Sequence, residues 1–364
     1  MNERERQGRA AASPRVVIAG GGTGGHAIPA LCVADSLSEG GAAVEFVGAQ
    51  AGIERDIVPR AGYALHTLPL TGLSGGPVAR AGAALLFLRA LSRCRILMKR
   101  LRPAAVLGVG GYASAPAVAA ASTLGIPTFL HEQNSVPGRV NRLASRFTTG
   151  TFVTFPSAAE HLKDAAWVGM PTRRELFDAS REEALRDLGL QPPVVLIFGG
   201  SGGALKLNVS AAKAFRGSTP YTVVQIAGRR DFPRLQTDNP KHVILEYADE
   251  IWRYLAAAEV VVSRAGAGSL FDTAAVGRAT IMVPYPYATG DHQLHNARFF
   301  TERGAGELLL DSEVDAAALR GRVEALLEDE RRREGLAGRM RALATPGAAN
   351  EVAGRLLRAS AERE

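Results

Sequence analysis

Short apolar runs alternate with amphipathic stretches along almost the whole chain. Residues 16–19 (VVIA), 44–48 (VEFVG), 64–70 (ALHTLPL), 105–110 (AVLGVG), 128–132 (TFLHE) and 151–155 (TFVTF) are short and mostly apolar, which predicts strands. Helical periodicity fills the intervals. The rhythm restarts after a charged, proline-containing bridge, roughly residues 168–193, with 194–200 (VVLIFGG), 222–228, 242–247, 260–266 and 280–286. Beyond Asp311 only helical patterns remain. A βαβα rhythm predicts a parallel sheet covered by helices on both faces. Its restart predicts an α/β protein of two Rossmann-like, doubly wound domains. The expected limits are a disordered tail over 1–14, a first domain over 15–166, a second over 167–345, and a last helix, 346–364, packing back on the first domain.

Each strand set opens with a glycine loop: VIAGGGTGGH from Val17 and LIFGGSGGA from Leu196. A glycine loop between strand and helix exposes backbone N–H groups and the positive end of the helix dipole, and both favour an anion. Several chemistries use such a loop. Gly20 to Gly25 has the spacing of a triphosphate P-loop, but His26-Ala27 stands where Lys and Ser/Thr are needed, so that reading fails. Gly20, Gly22 and Gly25 also satisfy the dinucleotide spacing, yet the next strand ends VGAQ and lacks the ribose-binding acid. Gly199 to Gly203 satisfies the G-x-S-x-G elbow of a serine hydrolase, with Asp272 or Asp291 and His292 or His295 following in order. That hydrolase is the alternative from another class. Ser201 suits hydrogen bonding to a phosphate as well as attack on a carbonyl.

Composition narrows the setting. The chain has 364 residues, 46% hydrophobic and 22% charged, which is ordinary for a globular enzyme. Its two cysteines, Cys32 and Cys94, have no metal spacing, so a reducing cytoplasm is expected and no metal is implied. The first residues carry charge but no apolar core, unlike a secretory signal. Of the net charge of +7, the excess is concentrated: residues 57–159 hold eleven Lys or Arg and a single acid, Glu132. Such a region suits an anionic partner: phosphate, nucleic acid or an acidic membrane surface. Residues 103–130 lack any charged residue and are long enough to span a bilayer, but their prolines and glycines divide them into strand, loop, helix and strand of a buried core.

Five further stretches decide among these chemistries: GVGGYASAP (108–116), HEQN (131–134), GMPTR (169–173), SRAGAGSLFD (263–272) and DHQLHNA (291–297). With the two glycine loops, their order and spacing resemble the MurG family of bacterial cell-wall glycosyltransferases, within glycosyltransferase family 28. The resemblance covers nearly all of residues 15–360. It implies the GT-B fold, with the active site in the cleft between two domains. It also implies inverting transfer of N-acetylglucosamine from UDP-N-acetylglucosamine to the C4 hydroxyl of the muramyl sugar of lipid I, giving lipid II. No cofactor and no nucleic acid are implied. The implied partners are the UDP-sugar, the undecaprenyl-linked acceptor, an anionic membrane surface and other cell-wall and division proteins. The implied location is peripheral, on the cytoplasmic face of the cell membrane.

The resemblance also assigns residues. Ser201 and its loop contact the donor diphosphate, as does Arg173. Ala267, Gly268, Ser269 and Leu270 form a helix start whose N–H groups suit the donor, and Asp272 one turn on suits two ribose hydroxyls. The family usually has Glu at that position, one methylene longer. The uracil is expected against Tyr247, Ala248 and Ile251, with Ala248 as a contact. Gln293 resembles the family's ligand for a sugar hydroxyl, since an amide can both donate and accept; His292 and Asn296 lie beside it. Asn134 contacts the bound sugar, and Thr23, Gly24 and Gly25 also reach the donor. The acceptor diphosphate is expected at Gly20, Gly21, Gly22, Gly110, Gly111 and Tyr112. Met170 and Gly202 stand where the family commonly has Asn and Gln. Inversion needs a base for the C4 hydroxyl. His26 is proposed as that base or as an acceptor-positioning residue, kept neutral by a helix N-terminus. Glu132 is the other candidate, and both it and His131 could equally hold their loop. Residues 70–101 mix Leu85, Leu86, Phe87 and Leu88 with Arg80, Arg89, Arg93, Arg95, Lys99 and Arg100. That mixture suits shallow insertion into anionic lipid or packing on the sheet.

Overall fold

A computed structural model describes residues 13–70, 77–200 and 203–361; Ser201, Gly202 and most of the predicted tail lie outside these. The chain forms two compact units. Unit 1 comprises residues up to 133, 137–168 and 347–364, and unit 2 comprises 134–136 and 169–346.

Unit 1 is built on seven strands: β1 (Arg15–Ala19), β2 (Ala43–Ala49), β3 (Ala64–Leu68), β4 (Ala105–Gly108), β5 (Thr128–Glu132), β6 (Gly150–Val153) and β7 (Ala165–Trp167). They pair in parallel in the order β3-β2-β1-β4-β5-β6-β7. Unit 2 carries β8 (Val194–Phe198), β9 (Thr222–Ile226), β10 (His242–Leu245), β11 (Val260–Arg264), β12 (Ala279–Val283) and β13 (Glu307–Leu308). Their parallel order is β10-β9-β8-β11-β12-β13. The central strands are buried on both faces, as their unbroken apolar runs require. The short edge strands β7 and β13 were not anticipated, because two or three residues carry too little pattern to register.

The helices cover both faces of each sheet. In unit 1, helix Gly24–Glu39 and the last helix, Ala348–Ala361, share one core with Val16, Ile18 and Leu107. Helices Pro77–Leu101 and Ala115–Thr123 cover the other face with Val17, Ala19 and Val106. The uncharged stretch 103–130 is therefore core: β4, helix 115–123 and β5. Among the described residues no helix is long and apolar enough to cross a membrane.

Two details depart from the sequence-based limits. Pro14 is already tied to the sheet, its carbonyl accepting the N–H of Ala43 (2.9 Å). Residues Asn134–Val136 group with unit 2 instead of the first domain. Asn296, fully buried in helix His292–Thr301, accepts both the N–H and the Oγ–H of Ser135 (2.9 and 2.8 Å). Those bonds are invisible to local periodicity.

Leu356 is fully buried in the last helix, against the core that β1 and helix 24–39 build. Leu356→Ala should cost unit 1 about 3 kcal/mol, read as a shift of its urea-unfolding transition with unit 2's transition unmoved.

Candidate active site

In an open parallel sheet, ligands bind beyond the carboxyl ends of the strands where the strand order reverses. That point lies between β1 and β4 in unit 1 and between β8 and β11 in unit 2. Both glycine loops leave the sheet there, so topology brings the predicted residues together within each unit.

In unit 1 the chain bends past β1 through Gly20, Gly21 and Gly22, at φ of +142°, +145° and +92°. The loop after β4 presses against it. A Cβ at Gly20 would lie 2.8 Å from the Gly110 carbonyl oxygen, and one at Gly111 would lie 2.8 Å from that of Gly21. Only glycines allow this approach. Two of the loop's donors are already taken: Gly20 N–H by Val47 O (2.9 Å) and Gly22 N–H by Glu54 Oε2 (2.7 Å). Gly20 and Gly22 thus shape the turn without donating outward. The N–H groups of Gly24 and Gly25 open helix 24–39 and have no acceptor within it. They and the helix dipole are what this loop offers an anion. Tyr112 stands exposed beside Gly110 and Gly111.

His26 sits half-buried in the first turn of that helix. Its Nδ1 lies 3.0 Å from Thr23 Oγ1, and its other ring edge faces Gly110, where a Cβ would come within 3.3 Å of Nε2. The tautomer in which Nδ1–H donates to the threonine hydroxyl is the one a base acting through Nε2 would use.

Glu132 has a different surrounding. It is buried, and its Oε2 accepts the N–H of Gly138 (3.0 Å) and the amide of Asn141 (2.9 Å). The Asn141 amide also donates to His131 O (3.2 Å), and Gln133 Nε2 donates to Val109 O (2.8 Å). These residues fasten the segment after β5. The Glu132 carboxylate thus helps hold this loop.

In unit 2 the loop after β8 bends at Gly200 and Gly203, at φ of +85° and +73°. A Cβ at Gly203 would meet Asp231 Oδ2 at 2.6 Å. Beside it, β11 leads into helix Ala267–Val276, with Gly266 as the residue before its first turn. The N–H groups of Ala267, Gly268 and Ser269 open this helix and have no acceptor within it. Leu270 N–H is already taken by Gly266 O (3.0 Å). The structure thus puts a second pair of anion-seeking loops at a second reversal point.

Around that point lie groups able to hold a nucleoside. The Asp272 carboxyl and the Arg173 guanidinium interact, and Arg173 lies 5.6 Å over the Trp252 ring. Asp272 keeps some exposed surface, but protein surrounds its carboxyl. Burial raises that carboxyl to about 6, with Arg173 pulling it back. Ala248 is half-buried, next to the exposed Tyr247, over which Arg229 lies at 5.8 Å. Gln293 Oε1 accepts the Tyr285 N–H (2.9 Å), which orients its amide. Asn134 Oδ1 accepts from the Asn296 amide (3.3 Å), which also reaches Ala265 O (3.2 Å). Asn296 is therefore a structural tie.

Sequence reasoning missed several of these groups. Trp252 had no motif to mark it. Arg264 was quoted only as part of a motif; it is buried, reaches Val283 O (3.3 Å) and Pro284 O (3.1 Å), and pairs with Asp311 at 2.6 Å. Met170, the departure from the family pattern, is core, and its N–H donates to Thr345 Oγ1 (3.0 Å). On helix 77–101, Ala90, Cys94, Leu97 and Met98 face inward, while Leu88 and Ile96 are 59% and 66% exposed among Arg89, Arg93, Lys99 and Arg100. Packing on the sheet thus accounts for one face of this helix and leaves the other exposed. Leu143 and Phe147, exposed and directly following Arg142 and Arg146, were not anticipated.

Comparison with known proteins follows the same division. Residues 16–153 match the glycosyltransferase family 28 N-terminal domain and residues 194–352 its C-terminal domain. A protein of Rubrobacter xylanophilus is 66% identical over 91% of this chain and 99% of its own length. It is named UDP-N-acetylglucosamine–N-acetylmuramyl-(pentapeptide) pyrophosphoryl-undecaprenol N-acetylglucosamine transferase. A protein of the same name from Desulforudis audaxviator is 40% identical over 85% of this chain and 88% of its own. The crystal structure of MurG from Acinetobacter baumannii superposes with a TM-score of 0.76 at 28% identity, covering 95% of this chain and 99% of that one. The serine-hydrolase alternative is thereby displaced, since its elbow falls inside the C-terminal glycosyltransferase domain.

Asp272 yields a pH test. Its folded value of about 6 exceeds the ordinary 3.8. Below about 4 it is protonated in both folded and unfolded chains and costs nothing. As pH rises from 4 through 6 the unfolded chain ionises first and stability falls, by on the order of 2–3 kcal/mol. Asp272→Asn should therefore match the parent near pH 4 and exceed it in unfolding free energy at pH 8. An advantage that does not grow with pH would contradict the assigned burial.

Proposed function

The chain belongs to glycosyltransferase family 28, and on that footing we propose that it moves N-acetylglucosamine from UDP-N-acetylglucosamine to the C4 hydroxyl of the muramyl sugar of undecaprenyl-diphosphate-linked lipid I. The observation that carries this reading is the 66% identity, running nearly end to end, with a relative named for that transfer. The geometry supports it: each unit has an anion-seeking pair of loops, as a reaction between two diphosphate-bearing substrates requires.

The donor is read onto unit 2. The loop from Gly199 to Gly203 (Ser201 included by sequence) and the helix start Ala267–Ser269 hold the diphosphate, with Arg173 adding positive charge. Asp272, ionised at neutral pH, accepts from the ribose hydroxyls. Its shorter side chain has help from the helix start, which brings the ribose near. The uracil lies by Ala248, and Gln293 donates its oriented amide to a sugar hydroxyl. Asn134, grouped with unit 2, contacts the same sugar.

The acceptor diphosphate is read onto unit 1, beside the loops Gly20–Gly22 and Gly110–Tyr112, with the N–H groups of Gly24 and Gly25 at the helix start as its hydrogen-bond donors. The C4 oxygen bonds to the anomeric carbon on the face opposite the phosphate. The bond from that carbon to the β-phosphate oxygen breaks, and its electron pair leaves with UDP. The hydroxyl proton passes to His26 Nε2. The configuration inverts because attack and departure take opposite faces.

Peripheral membrane contact completes the reading. The outward face of helix 77–101 carries apolar side chains among cations, the pattern of an interfacial helix on anionic lipid. Leu143 and Phe147 extend it, since helices Pro77–Leu101 and Arg139–Ala144 both pack on helix 115–123. Other cell-wall and division proteins are further partners in this reading.

Purified protein should transfer labelled N-acetylglucosamine from the UDP-sugar to a lipid I analogue, and UDP but not NAD should raise its melting temperature. Failure of transfer with an acceptor that a known relative accepts would overturn the assignment. His26→Ala should cut kcat by about 10²–10⁴ while leaving stabilisation by UDP intact; equal loss of both would remove His26 from the base role. Leu88→Glu with Ile96→Glu should abolish flotation with vesicles rich in phosphatidylglycerol and leave stabilisation by UDP unchanged. Undiminished flotation would exclude this face as the lipid contact.

A further inference from the structure

Two buried carboxylates that no substrate role claims occupy matching places in the two units. In unit 1, Glu54 opens the short helix Glu54–Arg60 that follows β2, the strand beside β1, and is 1% exposed. Its Oε2 accepts the Gly22 N–H (2.7 Å) and its Oε1 the Ala49 N–H (2.8 Å). It lies in a slot of glycines: a Cβ at Gly21 would come 2.5 Å from Oε1, and one at Gly48 would come 2.6 Å from Cγ. In unit 2, Asp231 follows β9, the strand beside β8, and its side chain has no exposed surface. It accepts from the Ala204 N–H, from Asn208 Nδ2 (3.0 Å) and from Arg230 Nε (2.9 Å). The slot here is closed by Gly203, where a Cβ would lie 2.6 Å from Oδ2.

The placement looks adverse, since each carboxylate lies beneath a loop that must attract a phosphate. Hydrogen bonding resolves this. A tight glycine turn aims its N–H groups in several directions, and those that point inward lose water and need acceptors. A carboxylate takes two or more at once, and the charge-assisted bonds are strong. Asp231 is itself secured: burial alone would raise its pKa, but Arg230, Asn208 and the Ala204 N–H outweigh that and lower it. Asn208 is in turn held by Gln225, whose Nε2 donates to Asn208 O (3.0 Å) and Oδ1 (3.1 Å). Gln225 Oε1 accepts from His242 Nε2 (3.1 Å). His242 is neutral at physiological pH, burial having lowered it to about 4.

We infer that Glu54 and Asp231 are paired positioning residues, each fixing one glycine loop for one substrate: Glu54 for the lipid-linked acceptor, Asp231 for the UDP-sugar. The inference rests on the assignment of donor to unit 2 and acceptor to unit 1. Neither carboxylate touches a substrate. Each takes the inward N–H groups so that the remaining donors stay aimed at the diphosphate.

The test is a crossed kinetic experiment on the full chain with UDP-N-acetylglucosamine and a soluble lipid I analogue. Glu54→Gln and Asp231→Asn keep shape but place an NH₂ where an acceptor is required. Glu54→Gln should raise the acceptor KM about tenfold or more and leave the donor KM within about twofold; Asp231→Asn should do the reverse. General destabilisation would not produce this crossed pattern. Equal changes in both KM values, or none, with an active wild type would overturn the inference alone. A wild type without transfer activity would overturn the assigned reaction and this inference with it. Should either variant fail to fold, hydrogen exchange of the wild type decides. The amides of Gly22, Ala49 and Ala204 should exchange at least about a hundredfold more slowly than those of Gly24 and Gly25. Comparable rates would overturn the positioning role.

Discussion

A backbone N–H that leaves water must find an acceptor, and in both units this demand is sharpest just past the central strand. β1 and β8 are buried on both faces, so the turns that follow them begin inside the protein. The chain meets the demand by combining glycines, which let neighbouring loops approach to contact, with a buried carboxylate under each turn. Gly22 and Ala49 donate to Glu54; Ala204 donates to Asp231. Once the inward donors are satisfied, the outward ones are fixed in direction. The two anion-seeking surfaces follow from that division.

The electrostatics of the sites are correspondingly sparing. Backbone N–H groups and helix starts supply much of the positive potential, with Arg173 as the guanidinium that meets Asp272. Fixed dipoles need no reorganisation as charge develops on a leaving diphosphate, which is their advantage over mobile cations. Asp272 is the costly member. Its carboxyl gives up hydration for a place among protein groups, and its raised pKa measures that loss. Such a cost is retained where ionised oxygens are needed by a ligand that supplies the missing hydrogen bonds.

Much of the architecture was legible in the sequence because strand and helix patterns are local. The βαβα rhythm and its restart implied two parallel sheets, and the glycine loops marked the carboxyl ends of the central strands. Seven short motifs in order pointed to the family. The supports were not legible. Glu54 and Asp231 look like ordinary surface acids in ERDIV and RRDFP, and only folding shows them buried. That Glu132 accepts from Gly138 and Asn141 was equally invisible in HEQN. Asn296 read only as a polar neighbour of Gln293, yet it ties down Ser135, more than 150 positions away in sequence.

By itself, then, the sequence determined which segments are buried strands, where the turns need glycine, and which chemistry the motifs share with a known family. Only tertiary structure decided which groups the charged side chains meet. Whether a carboxylate is a base, a ribose ligand or an internal acceptor depends on which N–H groups and cations surround it. Those neighbours come from distant segments whose meeting no local pattern encodes. The same holds for helix 77–101, where which side chains join the core and which stay exposed follows residue by residue from what the sheet covers.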